Sequence, residues 1–466
     1  MQRLISKYAL AAHLAILAVA PLFLFPFYGA DKMALVMFWL SIPAFVWLMM
    51  EPSRREGERL RDARGRVVRE CVRDPLLWFS VVLIVVALIR WCNNGVEMVY
   101  DAEAGKWAVM SPVWSYFPGA ADDAGRLPLA AMVAFTVITQ GVRHALGASA
   151  RMAFLFTVSL LAGIAALVAV GNMVVGGGDV MRFSMFNVEQ PSYVGVSFGL
   201  ALLAGLASMV AAFERRWHRI MILYPVAIGG PAAGLICFSP VYMTALFAGV
   251  LLVVLLYSLF YCARNLSGAG EFKLLVLFSL SLCAGLGLVY MLQPALAAER
   301  LDLLTRLDFF PDGFWELRRT LSGISKKIWL SDPWPGVGLG SFPIALDFHA
   351  ADVNWQSVSS TQKMPLCGWW HLMAERGIAG ALFLAILFVF LLFTYLYRAV
   401  CGITLRFPHP GCLLFPLVVL AGAALMFVDS SILRPEALLT ASSIMSVSAA
   451  SYPVRRKRVK TEIENG

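Results

Sequence analysis

Six histidines are spread over 466 residues. Two of them, His349 and His371, stand apart from both the long apolar runs and the arginine-rich stretches. His371 and Glu375 are four residues apart, so in a helix they share one face. An imidazole beside a carboxylate is equipped to take or give a proton. A histidine next to Trp369 and Trp370 is equally at home in the aromatic belt of a membrane interface, and the pattern leaves both roles open. Upstream lies Gly336-Val337-Gly338-Leu339-Gly340-Ser341-Phe342. No strand precedes it and no Lys-Ser or Lys-Thr follows, so it is not a nucleotide cradle. Gly336, Gly338 and Gly340 read instead as a tight backbone turn close to a ligand. The eight cysteines show no CxxC spacing, and no Asp-x-Asp or His/Cys cluster accompanies the histidines. Neither a metal nor another cofactor is expected.

The elements that must position these residues belong to a very apolar chain. Hydrophobic residues make up 60% and charged residues 14%, and mean hydropathy is +0.75. A soluble chain cannot hide that much apolar surface, which excludes soluble classes. Apolar runs near bilayer length occur at 8–28, 33–50, 76–92, 127–142, 152–170, 193–213, 220–237, 241–261, 274–292, 378–396, 412–428 and 437–450. The first is too long for the core of a signal peptide and no small-residue cleavage site follows, so it is kept as a span. Pro225 and Pro231 interrupt the seventh, and the last is short and Ser-rich.

Charge orients the spans. The net charge is +9, and eight arginines fall between Arg54 and Arg73. Arg143, Arg151, Arg215, Arg216, Arg219, Arg264 and the tail from Arg455 to Lys460 fall on the same side when the spans alternate. The loops opposite are acidic or neutral, as with Glu97, Asp101, Glu103, Asp122 and Asp123. The positive-inside rule puts both termini in the cytoplasm. The Arg54–Arg73 stretch reads as a solvated topology anchor, not as a nucleic-acid surface.

One long connection lies on the opposite side, the 85 residues of 293–377. It is too rich in Trp, Phe and Leu to be disordered. Phe314, Leu317, Leu321, Ile324 and Ile328 recur at helical spacing, with Arg319, Lys326 and Lys327 on the other side. Asp312 is placed to cap this helix and Asp332-Pro333 to end it. Such a helix suits the outer membrane surface, and it equally suits packing over the mouth of the bundle.

Arg318, then Asp332-Pro333-Trp334-Pro335-Gly336-Val337-Gly338-Leu339-Gly340-Ser341-Phe342, then Glu375-Arg376-Gly377-Ile378-Ala379-Gly380 entering a helix, resembles the O-antigen ligase and O-antigen polymerase superfamily. That superfamily includes protein O-oligosaccharyltransferases. A second echo is Arg182-Phe183-Ser184-Met185-Phe186-Asn187 followed by Pro191. The motifs cover about a quarter of the chain and the layout of spans all of it. Two positions depart from the family. Its His-Asn pair, which includes the catalytic histidine, is Leu366-Cys367 here, and its Ser-Arg-Gly is Ser239-Pro240-Val241.

The resemblance implies an all-α polytopic membrane protein of about twelve transmembrane helices, with one large periplasmic loop between spans 9 and 10. Residues 1–292 would hold nine spans, 293–377 the loop, 378–453 the last three spans, and 454–466 a basic cytoplasmic tail. It also implies a bacterial inner-membrane glycosyltransferase. A glycan would pass from a polyprenyl-diphosphate carrier to a hydroxyl of a glycan, lipid or protein acceptor, with inversion and without metal. Partners would be these substrates and membrane lipids, not nucleic acid. Fixed cations must meet the leaving diphosphate, with Arg318 the first choice and Arg182, Arg319, Lys326 and Arg300 behind it. A base must take the hydroxyl proton, with His371, Glu375 and His349 as candidates. A glycolipid transporter or flippase, or a non-catalytic protein of envelope assembly, are the alternatives.

Overall fold

The computed structural model describes residues 2–24, 30–50, 52, 58–93, 97–101, 106–110, 119, 126–175, 192–266, 269–310, 313–338, 340–349, 366–402, 408–430, 433 and 435–451. Among these the regular structure is helical apart from one antiparallel ribbon. The first helices are α1 (Gln2–Leu24), α2 (Ala30–Met50), α3 (Leu60–Val72) and α4 (Pro75–Cys92). The ribbon follows as β1 (Glu97–Asp101) paired with β2 (Lys106–Met110), Glu97 opposite Met110. Then come α5 (Arg126–Gln140), α6 (Ala148–Val175), α7 (Ser192–Glu214), α8 (Gly230–Phe238), α9 (Val241–Asn265) and α10 (Gly270–Leu292). The expected loop carries α11 (Pro294–Thr305), α12 (Phe314–Ser331) and α13 (Phe342–His349). The chain continues with α14 (Gly368–Gly402), α15 (Leu414–Val428) and α16 (Pro435–Ser451).

Every expected apolar run overlaps a helix, and seven helices are long and apolar enough to cross a membrane. These are Lys32–Met50, Pro75–Cys92, Ala148–Asn172, Val194–Glu214, Val241–Asn265, Gly270–Leu292 and Pro410–Val428. Tyr8–Phe23, Pro225–Phe238 and Ala437–Ala450 are apolar but shorter. Burial sorts the long helices into layers. Of the apolar window of α7, 94% is buried, against 22% for α4 and 28% for α10. A helix apolar all round and buried all round forms the centre of the bundle, while α4 and α10 present apolar faces outward. The run at 220–237 is broken, as its prolines dictate. A 3-10 turn (His218–Leu223) and a π turn (Pro225–Gly229) precede the nine-residue α8. Each proline removes a backbone donor and obstructs the preceding turn.

The basic stretch after α2 is more than a solvated anchor. Along α3, Ala63, Val67 and Cys71 form a buried stripe at helical spacing. The turn into α4 is sealed by Asp74, whose side chain is 2% exposed. Its carboxylate accepts from Leu76 N at 3.1 Å, capping α4, and meets His144 Nε2 at 2.8 Å and Arg143 Nη2 at 3.3 Å. Burial pushes this carboxyl up, but the His144 hydrogen bond and the Arg143 charge outweigh it and hold it below the usual carboxylate range. Asp74→Asn removes the buried charge that faces both Arg143 and His144 and should cost about 3–5 kcal/mol at neutral pH, read as a lower Tm in detergent. A depressed carboxylate contributes stability that is present above its ordinary pKa of about 4 and is lost as pH falls through its folded value. The gap between the two proteins should therefore close at acid pH.

The loop has a small core of its own. Phe314, Leu321, Ile324 and Ile328 of α12 are buried together with Val337, Phe342, Leu346, Leu366 and Ala374. The apolar face of α12 is thus satisfied inside the protein, while Arg319, Lys326 and Lys327 remain exposed. Tyr242 of α9 and Val428 of α15 pack against this core, so the helix rests on the bundle through its apolar face. Gly313, with φ +74°, caps it, and Asp312 lies outside the described residues.

Candidate functional site

The Gly-rich turn and the Glu375-Arg376-Gly377 segment close on each other through their backbones. α14 is kinked at Gly377, which has φ +63° and ψ −173°. In an unbroken helix, Ile378 N and Ala379 N would donate to the carbonyls of Ala374 and Glu375. Here they donate instead to Pro333 O (2.9 Å) and Trp334 O (3.2 Å). The two freed carbonyls accept from Val337 N (2.8 Å) and Gly338 N (3.1 Å). Four hydrogen bonds are exchanged between segments about forty residues apart in sequence, so the two freed carbonyls and the two displaced N–H groups all find partners. The contact is close enough that a Cβ on Gly336 would strike the 374–377 backbone, and one on Gly377 would strike Trp334 O. Both residues also have positive φ, so glycine is required twice over.

The first, short arm of α14 carries the imidazole and carboxylate. His371 Nε2 lies 3.6 Å from Glu375 Oε2, with side chains 12% and 11% exposed. Glu375 Oε1 accepts from Gly340 N at 3.1 Å, so the carboxylate also ties the turn. The His371 ring meets Phe342 edge-on at 5.5 Å between centroids. The helix-face pairing read from the sequence is therefore realised, in a sheltered position where a carboxylate stands beside an imidazole.

His349 is not part of this pair. It ends α13, and among the described residues it has no hydrogen bond to His371 or Glu375. Burial and the nearby Lys327 charge pull its pKa below the ordinary histidine value. Leu366 and Cys367, where the resembled family carries His-Asn, are buried. Leu366 belongs to the loop core, and Cys367 Sγ contacts Met426 O at 3.7 Å.

The cation candidates part company. The Arg318 guanidinium forks onto one carbonyl, with Nε 2.8 Å and Nη2 2.5 Å from Phe427 O at the end of α15, and it lies over the Trp315 ring at 5.7 Å. A cation at a helix C-terminus answers the helix dipole, so this residue docks the loop on the bundle. Beside it, Tyr242 donates to Asp429 Oδ2 at 2.8 Å while its ring stacks on Phe310. Arg318→Ala should loosen this docking by about 1.5–3 kcal/mol, measured as faster amide exchange across α12. Arg319 and Lys326 point to solvent. Arg300 is half-buried in α11, and burial lowers its pKa. Arg182 lies outside the described residues.

Two arginines absent from the sequence candidates occupy the site instead. Arg90, at the end of α4, is 6% exposed. It donates from Nη1 to Glu375 O (3.2 Å) and from Nη2 to Pro335 O (3.0 Å), bridging both halves of the exchange. Arg376 follows Glu375 on the kinked arm and has no hydrogen-bond or ion-pair partner among the described residues. Both line a cavity of about 490 Å³ between α4, α5 and α14. Its remaining walls are apolar, including Val82, Val86, Met132 and Phe383, with Trp334 and Pro335 at the arginine end. In the sequence Arg90 closes the apolar run of 76–92. Its signal was an arginine within an apolar span that has no acid at helical spacing to pair with.

In comparison with known proteins, no family model matches the chain and no curated protein gives a significant match.

Proposed function

We propose that this chain is a membrane glycosyltransferase of the O-antigen ligase or polysaccharide polymerase type. It moves a glycan from a polyprenyl-diphosphate carrier to an acceptor hydroxyl at the periplasmic face of a bacterial inner membrane. The supporting observation is the backbone exchange between the 333–341 turn and the 374–379 arm. It holds a sheltered imidazole–carboxylate pair on the same short arm as Arg376, which lines an apolar groove together with Arg90. In this reading the hydroxyl oxygen attacks the anomeric carbon from the face opposite the leaving group. The bond from that carbon to the diphosphate oxygen breaks, and its electron pair departs with the diphosphate. His371 takes the hydroxyl proton, with Glu375 holding the ring and stabilising the imidazolium. Inversion follows from the single displacement. No step uses a metal.

The reading needs twelve spans, the seven long apolar helices together with α14 and the shorter apolar stretches of α1, α5, α8 and α16, with both termini cytoplasmic. Single cysteines introduced at Ala104 and Val353 should react with an impermeant thiol reagent added outside intact cells, and those at Gly65 and Thr461 should not. Labelling at position 65 from outside would invert the orientation and move the site to the wrong face. For activity, a deletion strain should accumulate carrier-linked glycan on the outer leaflet. Stranding on the inner leaflet would favour a flippase.

A further inference from the structure

We propose that α3 lies in the cytoplasmic surface of the membrane and binds anionic phospholipid. Val68, Val72 and Trp78 face the acyl chains, and Arg61, Arg69 and Arg73 meet the phosphates. The choice of leaflet rests on the orientation given above, and the contact with lipid does not.

Depth is set by α4, which follows α3 after Arg73 and Asp74 and is long and apolar enough to cross a membrane. Its outward face begins at once. Trp78 is 56% exposed, and Val81, Val82 and Val85 continue an exposed apolar strip. Trp78 Nε1 donates to Val72 O at 2.9 Å, so the indole ties the last turn of α3 to the first turn of α4. An apolar ring with one polar donor belongs at the boundary between hydrocarbon and water. Val72, 50% exposed, and Val68, 44% exposed, carry the strip onto α3. At about 100° per residue, Val68, Arg61 and Val72 fall within about 40° of one another and roughly 120° round the helix from the buried stripe. That stripe, Ala63, Val67 and Cys71, seats α3 on the bundle. The second stripe faces the bilayer.

The charges are sorted in the same way. The acids turn toward the protein. Glu58 and Glu70 lie 2.8 and 3.6 Å from Arg66, Glu70 also lies 3.6 Å from His144, and Asp74 holds His144 and Arg143. Arg64 donates to Met50 O at the end of α2. Arg59, Arg61, Arg69 and Arg73 are left exposed, with no ion-pair partner among the described residues, and Asp62 is the one fully exposed acid among the described residues of 58–74. Arg69 and Arg73 are one turn apart, so their guanidinium groups can share one phosphodiester. Arginines bordering an apolar stripe at the height of the head groups match an anionic lipid. A soluble acidic partner would satisfy the arginines but not the stripe, which runs on into the membrane-facing side of α4.

The test is amide hydrogen exchange across α3 in the full-length protein. Nanodiscs of phosphatidylcholine are compared with nanodiscs of phosphatidylcholine and phosphatidylglycerol. Exchange should be about tenfold slower with phosphatidylglycerol, and the difference should shrink in about 1 M salt, where the screening length is about 3 Å. Arg69→Gln combined with Arg73→Gln should exchange like the wild type in phosphatidylcholine, with an unchanged Tm there, and should lose the difference. Val68→Asp should speed exchange in both membranes, because a carboxylate leaves the hydrocarbon and takes the stripe with it.

Equal exchange in the two membranes would overturn the lipid site, and so would a difference that the double variant retains. A difference undiminished by salt would overturn its ionic basis. Unchanged exchange in Val68→Asp would mean that α3 stands clear of the bilayer, which is the placement expected for a soluble acidic partner. None of these outcomes bears on glycan transfer, and thiol labelling at position 65 tests the leaflet by itself.

Discussion

Replacement of His371 by alanine is expected to slow glycan transfer by about 10²–10⁴-fold with little change in donor affinity. A group that acts only by receiving a proton contributes in the transition state and not to ground-state binding, so the loss should appear in kcat and leave KM nearly constant. His371→Gln should be as slow as the alanine protein, because an amide cannot accept the proton. Glu375→Gln should be intermediate, since its oxygen can still accept from Gly340 N while its charge no longer favours the imidazolium. His349→Ala should change the rate little, because His349 sits at the end of α13 and shares no hydrogen bond with the pair among the described residues. Near-normal turnover by His371→Ala would remove it as the base.

Gly377→Val is expected to abolish activity by destroying the site's architecture. A β-branched residue at φ +63° is a backbone outlier costing of order 1–3 kcal/mol, and its Cβ would also have to displace Trp334 O. The cheapest escape is for α14 to straighten and recover the Ile378 and Ala379 hydrogen bonds within the helix. That leaves Val337 N and Gly338 N without acceptors and removes one of the two carbonyls that hold Arg90. The turn should then detach while the bundle stays folded. Limited proteolysis should show new cleavage between 333 and 341 in the variant and none in the wild type. Gly336→Val should give the same pattern from the other side of the contact. Retained activity in either variant would mean that the exchange does not build the site.

Much of this arrangement is written locally in the chain. The apolar face of α12 was legible because Phe314, Leu321, Ile324 and Ile328 repeat at the helical period, whatever they pack against. The turn at Gly336, Gly338 and Gly340 was legible because three alternate glycines have few other uses. The pairing of His371 with Glu375 needed only a helix through 368–376. What could not be read was any partner distant in sequence. Nothing around Gly336 announces that its neighbour is Gly377. Nor does the pattern of α4 reveal that Arg90 reaches the carbonyls of Glu375 and Pro335. Arg376 looked like filler between two motif residues, since its meaning depends on α4 and α5 closing around it. Arg318 is a further case of a distant partner. Its register to the glycines suggested a ligand contact, while tertiary packing gave its fork to Phe427 O.

The most direct measurement is discharge of a defined donor. The purified full-length protein, in nanodiscs with a polyprenyl-diphosphate-linked glycan and a membrane extract supplying acceptors, should release polyprenyl diphosphate in proportion to glycan transferred. The release should continue in the presence of a chelator and fall about 10²–10⁴-fold in His371→Ala. A wild-type protein that binds the donor yet releases no more polyprenyl diphosphate than protein-free nanodiscs would contradict the account.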